Sequence, residues 1–184
     1  MKGSLVKYVL RISLTLLAIT ALVAAALAGV NAVADPLIRA HKAEKMRQAM
    51  EEVLPGAVGL AEVSFTDATG TVNKVYASQD GFVVEVAPAG FGGAISMMVG
   101  IEKDGKTVHA ISIVSHTETA GLGSVAAANT AAGEAFRNQF VGASGTLAVD
   151  KDGGDIDSIT SATITSRAVV AGVNAALEAV KSLG

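Results

Sequence analysis

The sequence contains no cysteine and no tryptophan. The missing thiol excludes disulfides, thiolate-held iron–sulfur clusters, sulfur-ligated zinc sites and lipid attachment through cysteine. Histidine is scarce: His41, His109 and His116 lie far apart, and none stands at a metal-ligand spacing such as H-x-x-x-H. No metal site is expected, and any redox role would need an organic cofactor. Aromatic residues make up 4% of the chain against 51% apolar residues, so alanine, glycine and valine carry the apolar content. The net charge is only -3, and no basic run interleaves with aromatics, which argues against a nucleic-acid partner. The phosphate-loop and dinucleotide signatures, G-x-x-x-x-G-K and G-x-G-x-x-G, are both missing.

One long apolar run is present. Residues 12–30, about 19 in all, are uncharged and can span a hydrocarbon core of ~30 Å as a helix. Lys2, Lys7 and Arg11 precede the run, which places the N-terminus in the cytoplasm and the rest of the chain outside. Arg39, Lys42, Lys45 and Arg47 on the other side weaken that asymmetry. Ala32-Val33-Ala34 also fits the small-residue pattern of a signal-peptide cleavage site. The run is longer than the ~7–15 residues of a signal core, which favours a retained single-pass anchor. Either way, the remainder crosses the membrane. The small residues at 24–29 permit close contact with other membrane helices.

A chain of 184 residues fits one domain with a small accessory element. The expected division is an anchor over 1–34, a connecting helix over 35–56 and a globular domain over 57–184. Asp35-Pro36 reads as a helix start, and Pro55-Gly56 as its end. Strands are expected over 60–65, 71–77, 81–87, 94–103 and 107–114, the last two joined by the hairpin signal Asp104-Gly105. Phe82, Val84 and Val86 should share one face. A helix is expected over 126–139, weakened by Gly133, and short strands over 146–149 and 156–159. A final helix over 163–183 carries the stripe Ala168, Val169, Val173, Ala176, Leu177 and Val180. The fold class is therefore α+β: a transmembrane helix, then an antiparallel sheet flanked by helices.

Three stretches stand out chemically. Residues 157–166, DSITSATITS, crowd hydroxyls where a strand gives way to the last helix. Unpaired N–H groups at a helix start bind anions, and a phosphate would meet several donors there. The plain alternative is a helix cap by Ser or Thr. Residues 116–123, HTETAGLG, place two glycines after a strand, where backbone can approach a ligand or simply turn. Residues 150–157, DKDGGDID, look calcium-like but break the EF-hand pattern: Gly154 and Asp155 fall at the wrong positions and Ser161 replaces the terminal glutamate. That stretch reads as a solvated turn. The glycine-rich 90–93 segment reads as a flexible bend.

These stretches together resemble the FMN-binding domain family. Residues 157–165 are similar to its flavinylation motif, D-x-x-[ST]-G-A-[ST]-x-[ST], with Ser161 where glycine is usual. Residues 118–123, ETAGLG, resemble its E-T-P-G-L-G loop, with Ala120 in place of proline. Residues 91–108 resemble the hairpin before that loop. The order of anchor, hairpin, loop, motif and final helix is most similar to the G subunits of Rnf-type ion-translocating ferredoxin:NAD oxidoreductases. The C subunits of sodium-pumping NADH:quinone oxidoreductases are related.

The resemblance implies covalent FMN, transferred from FAD by a flavin transferase and held by a phosphoester on Thr163. It implies cofactor contacts from Thr160, Ser161, Ala162, Ile164 and Thr165, and from Glu118, Thr119, Gly121, Leu122 and Gly123. Asp157 would be read by the transferase. No side chain need be an acid–base catalyst; the FMN subunit is a relay within an oxidoreductase complex and not catalytic alone. Ferredoxin and NAD would be handled by other membrane subunits. The expected location is a bacterial or archaeal cell membrane with the FMN domain on the extracytoplasmic side. The rivals are the quinone-reductase subunit, a non-redox, anchored extracytoplasmic binding module whose Thr-rich turn is only a cap, and a stand-alone flavin reductase outside the membrane complex.

Overall fold

The structure is a computed structural model that describes residues 2–183. Met1 and Gly184, the outer ends of the expected anchor and domain, lie outside the described residues, as do the side chains of residues 2–5. The chain forms two compact units, Met1–Glu44 and Lys45–Gly184.

The first unit is helical. Helix α1 (Lys2–Val53) is long and apolar enough to cross a membrane. Its leucines and valines between 6 and 33 are exposed, as a lipid-facing segment requires. Thr15 and Thr20 donate to the carbonyls of Arg11 and Leu16 at 2.8 and 2.9 Å, so their hydroxyls are satisfied within the helix. The expected helix start at Asp35-Pro36 is not one: α1 runs through Pro36. Proline removes a single backbone donor, and turns already formed before it sustain the helix. Asp35 is no cap; it pairs with Arg39 at 2.7 Å.

The second unit is built on an antiparallel meander. Strands β1 (Ala61–Val63), β2 (Val72–Ala77), β3 (Gly81–Val86), β4 (Ser96–Glu102) and β5 (Val108–Ser115) pair in sequence order. Short turns join β2 to β3 and β4 to β5, and Gly105 takes a φ of +67° in the latter. Both faces of the sheet are covered, which explains why β3 and β4 are nearly continuous apolar runs. Val84, Val86, Met97, Val99 and Ile101 face the main core with helix α3 (Thr163–Lys181), and half-buried Phe82 packs against it. The expected stripe on α3, from Ala168 to Val180, is buried throughout. On the opposite face Val83 and Met98 pack with Ala49, Val53 and Leu54. Gly100 is obligatory there: a Cβ would stand 1.9 Å from the carbonyl oxygen of Val53.

Two expectations fail locally. The helix expected over 126–139 is broken into a 3-10 turn (Gly123–Ala127) and helix α2 (Ala131–Asn138). Ala128 is extended, and Thr130 caps α2 by accepting from the Gly133 amide at 3.3 Å. Arg137 then donates to the carbonyls of Ala126 and Ala128 at 2.8 and 3.0 Å, closing the break. The strands expected over 146–149 and 156–159 reduce to one parallel bridge, Val149 to Ile156. A 3-10 turn (Asp150–Asp152) between them leaves no room for a longer ladder.

Candidate functional site

The β3–β4 connection, the exit of β5 and the start of α3 meet at one end of the sheet. They enclose a cavity of about 340 Å³ lined by Phe91, Glu118, Thr119, Leu122, Gly123 and residues 161–165. Ligand pockets typically measure ~300–1,000 Å³. The structure therefore brings together Glu118, Thr119, Leu122, Gly123, Ser161, Ala162, Thr163, Ile164 and Thr165 of the expected set. Thr160, Gly121 and Asp157 are exposed and do not line the cavity.

The hydroxyl-rich turn does not cap α3. Ala162 occupies the N-cap position, and among the described residues no side chain caps the first amides of the helix. The hydroxyls have other partners. Ser166 donates to the Ala162 carbonyl at 3.1 Å and accepts from the Ile159 amide at 3.0 Å, which locks the turn onto the helix. Thr165 is buried and donates to Glu118. Thr163, the first residue of α3, stays half-buried on the cavity wall. A helix that starts without a side-chain cap presents its first amides to an anion, and its dipole favours negative charge there.

Ser161 is the sole non-glycine residue with positive φ among the described residues, at +62°. This left-handed turn drops the chain from the 157–160 segment into α3. It explains why glycine suits this position in the resembled motif.

The second wall is shaped by glycines for two separate reasons. Gly121 adopts a φ of +76° in a closed turn: the Thr119 carbonyl accepts from the Leu122 and Ser124 amides, each at 3.2 Å. Gly123 is needed for contact, since a Cβ there would meet the Thr165 hydroxyl at 2.4 Å and Glu118 Oε2 at 2.6 Å. Each glycine thus has a reason within the fold itself. Gly123 lines the cavity, and Gly121 shapes the exposed turn beside it.

The 90–93 segment is not a flexible bend. Gly92 donates its amide to Glu118 Oε1 at 2.9 Å, and Thr117 donates its hydroxyl to the Gly92 carbonyl at 2.9 Å. A Cβ on Gly92 would stand 2.1 Å from the Thr117 carbonyl oxygen. The segment is thus pressed against 117–118, and it holds Phe91 at the rim with 68% of its surface exposed. Sequence reading missed Phe91. A lone aromatic between glycines, in a chain with few aromatics, was the available signal.

Asp157 is held at a distance from the cavity. Its amide donates to Gln139 Oε1 at 2.6 Å, and its carbonyl accepts from Gln139 Nε2 at 3.2 Å, leaving the carboxylate at the surface. The calcium-like stretch is also more than a solvated turn. Asp150 accepts from the Ser158 amide at 3.0 Å, and Asp152 pairs with Arg167. Hydrogen bonding by Ser158 and Lys151 holds the Asp150 carboxyl far below the usual carboxylate range. Arg167 lowers that of Asp152 in the same way. These carboxylates brace the turn that precedes α3.

A larger cavity of about 890 Å³ lies at the other end of the sheet, between Phe82, Lys103, Lys106, Leu177 and Leu183. It contains none of the expected site residues and no helix N-terminus. The smaller cavity therefore has the stronger claim as the cofactor site.

The profile of the FMN-binding domain family matches residues 90–178, starting at the glycine loop that carries Phe91. The chain is 30% identical to the G subunit of the ion-translocating oxidoreductase complex of Methanosarcina acetivorans, over 96% of each chain. It is 30% identical to the G subunit of the Na(+)-translocating ferredoxin:NAD(+) oxidoreductase complex of Acetobacterium woodii, over 96% of this chain and 94% of that one. It is 42% identical to the G subunit of the proton-translocating ferredoxin:NAD(+) oxidoreductase complex of Clostridium ljungdahlii, over 57% and 58% of the two chains.

Proposed function

The chain belongs to the family of G subunits of ion-translocating oxidoreductase complexes, and from that premise we propose that it is the membrane-anchored FMN subunit of an Rnf-type ferredoxin:NAD oxidoreductase, with the FMN esterified to Thr163. The observation that carries this reading is the position of Thr163: first residue of an α3 that no side chain caps, on the wall of the 340 Å³ cavity.

The residues fit the group. The first amides of α3 suit a phosphate, and the apolar rim of Phe91, Leu122 and Ile164 suits a flat ring system. Bound FMN supplies the electron transfer. The chain's own residues hold and orient it: Thr163 through its oxygen, the α3 start through its dipole, and the 118–123 wall through its shape. In maturation the Thr163 hydroxyl would be the acceptor: it would lose its proton and take the FMN phosphoryl group from FAD, with AMP as the leaving group. A flavin transferase would read the surface carboxylate of Asp157 during this step.

The functional division we propose is the anchor over 1–34, the connecting segment over 35–56 and the FMN domain over 57–184. The basic residues before the apolar run support an extracytoplasmic FMN domain. On that side a lost cofactor would be hard to replace, which gives a covalent bond its purpose. Other membrane subunits would pack on the small residues at 24–29 and would themselves handle ferredoxin and NAD.

The test is co-expression with a flavin transferase, followed by a denaturing gel viewed under ultraviolet light. The wild-type band should fluoresce, and Thr163→Val should be dark. A dark wild-type band, with the transferase active on a control substrate, would sink the covalent assignment.

A further inference from the structure

Glu118 joins the two walls of the cavity. Its Oε2 accepts from the Thr165 hydroxyl at 2.5 Å, on α3. Its Oε1 accepts from the Gly92 amide at 2.9 Å, on the loop that carries Phe91. Each carboxylate oxygen thus takes a donor from a different wall. Glu118 is itself held in place, because its amide donates to His116 Nδ1 at 3.2 Å.

The surroundings pack closely on these contacts. Both Glu118 and Thr165 are buried. Three glycines close in around the contacts: a Cβ at Gly90 would meet Glu118 Oε1 at 2.4 Å, one at Gly92 would meet the Thr117 carbonyl at 2.1 Å, and one at Gly123 would meet the Thr165 hydroxyl at 2.4 Å. A buried carboxylate is tolerated only when its oxygens are hydrogen-bonded. Loss of the donor on one side leaves it under-satisfied and free to turn, which loosens the donor on the other side.

We propose that Thr165, Glu118 and Gly92 form a positioning relay that sets the Phe91 loop against the start of α3 before the cofactor arrives. The proposal rests on the FMN reading of this cavity. It adds a role to Thr165 and Glu118: besides lining the cavity, the trailing hydroxyl of the motif and the leading glutamate of the 118–123 loop serve each other. The relay predicts coupling across a residue. A change at 165, which does not touch Gly92, is felt at Gly92.

The experiment uses the full-length protein in detergent, without flavin, and follows amide hydrogen exchange of the 90–93 segment. Thr165→Val removes the donor at nearly constant volume and should speed exchange at Gly92 by about tenfold, the effect of losing a charge-assisted hydrogen bond. Thr165→Ser keeps the hydroxyl and should restore wild-type exchange. Co-expressed with the transferase, the valine variant should show a weakened in-gel flavin band and the serine variant a normal one. Wild-type exchange and labelling in Thr165→Val would overturn the relay. If that variant does not fold, Glu118→Asp carries the test. Its shorter side chain cannot reach both donors, so wild-type exchange at Gly92 in that variant would overturn the relay equally. A dark wild-type band alongside the expected exchange pattern would instead count against the covalent flavin and leave the relay standing.

Discussion

The guanidinium of Arg167 donates to both carboxylate oxygens of Asp152, from Nε at 2.7 Å and from Nη2 at 2.6 Å. Arg167 lies one turn beyond Thr163 on α3, and Asp152 lies in the 3-10 turn that precedes the motif. The fork therefore fixes the approach of the motif to its helix. Both side chains are substantially exposed, so the pair contributes more to geometry than to stability.

That arrangement makes the turn acid-sensitive. The folded-state pKa values of Asp150 and Asp152 are depressed, so their contribution is present above the unfolded value of about 3.9 and is lost as pH falls toward the folded values. Melting curves of wild type and Asp150→Asn should differ at pH 7, and the gap should narrow steadily below about pH 4. A gap that stays constant into the acid range would show that the Asp150 charge does not stabilise the turn.

Ser161 offers a stabilising change. Its φ of +62° crowds a Cβ that glycine lacks. Ser161→Gly should stabilise the domain by about 1 kcal/mol, read from the denaturant midpoint, with flavin labelling at least equal to wild type. Ser161→Val should move the midpoint the other way. A destabilised glycine variant would mean that the serine side chain matters more than the backbone strain.

Much of this was legible in the sequence, because local pattern and tertiary outcome agreed. The alternation of Phe82, Val84 and Val86 marked a strand face, Asp104-Gly105 marked a hairpin, and the apolar stripe from Ala168 to Val180 marked α3. The site was legible in part: the motif and the 118–123 loop do share a cavity. What stayed hidden depends on contacts remote in sequence. Nothing local says that Thr165 bonds to a residue 47 positions away, or that Gly92 must clear the Thr117 carbonyl. The break at Ala128 was masked by an alanine-rich stretch that reads as helix throughout.

Gly133 separates propensity from packing. Helix propensity alone predicts that Gly133→Ala in α2 stabilises by about 1 kcal/mol. The structure predicts the opposite sign: the new Cβ would stand 2.2 Å from the Ala128 carbonyl oxygen and 2.5 Å from that of Val125. Backbone atoms cannot swing aside as a side chain can, so the variant should lose about 2 kcal/mol in chemical denaturation. A gain in stability would show that the 3-10 turn and α2 are free to separate.

Phe91 tests the orientation of the cavity. Its loop is hydrogen-bonded through Gly92, yet its ring is 68% exposed, so packing within the domain does not account for an aromatic here. It stands on the rim facing the wall that carries Thr163, where a flat ring attached at that residue would meet it. Phe91→Trp replaces a weak quencher with a strong one. After loading by the transferase, its native flavin emission should fall several-fold while the denatured band stays as bright as wild type. Val58→Trp, at an exposed position away from the cavity, supplies the control and should leave native emission unchanged. Because denaturation separates the two rings, equal brightness on the gel isolates proximity from attachment yield. Equal native emission in both variants would place the flavin away from Phe91 and leave the α3 start and the 118–123 wall as its main contacts.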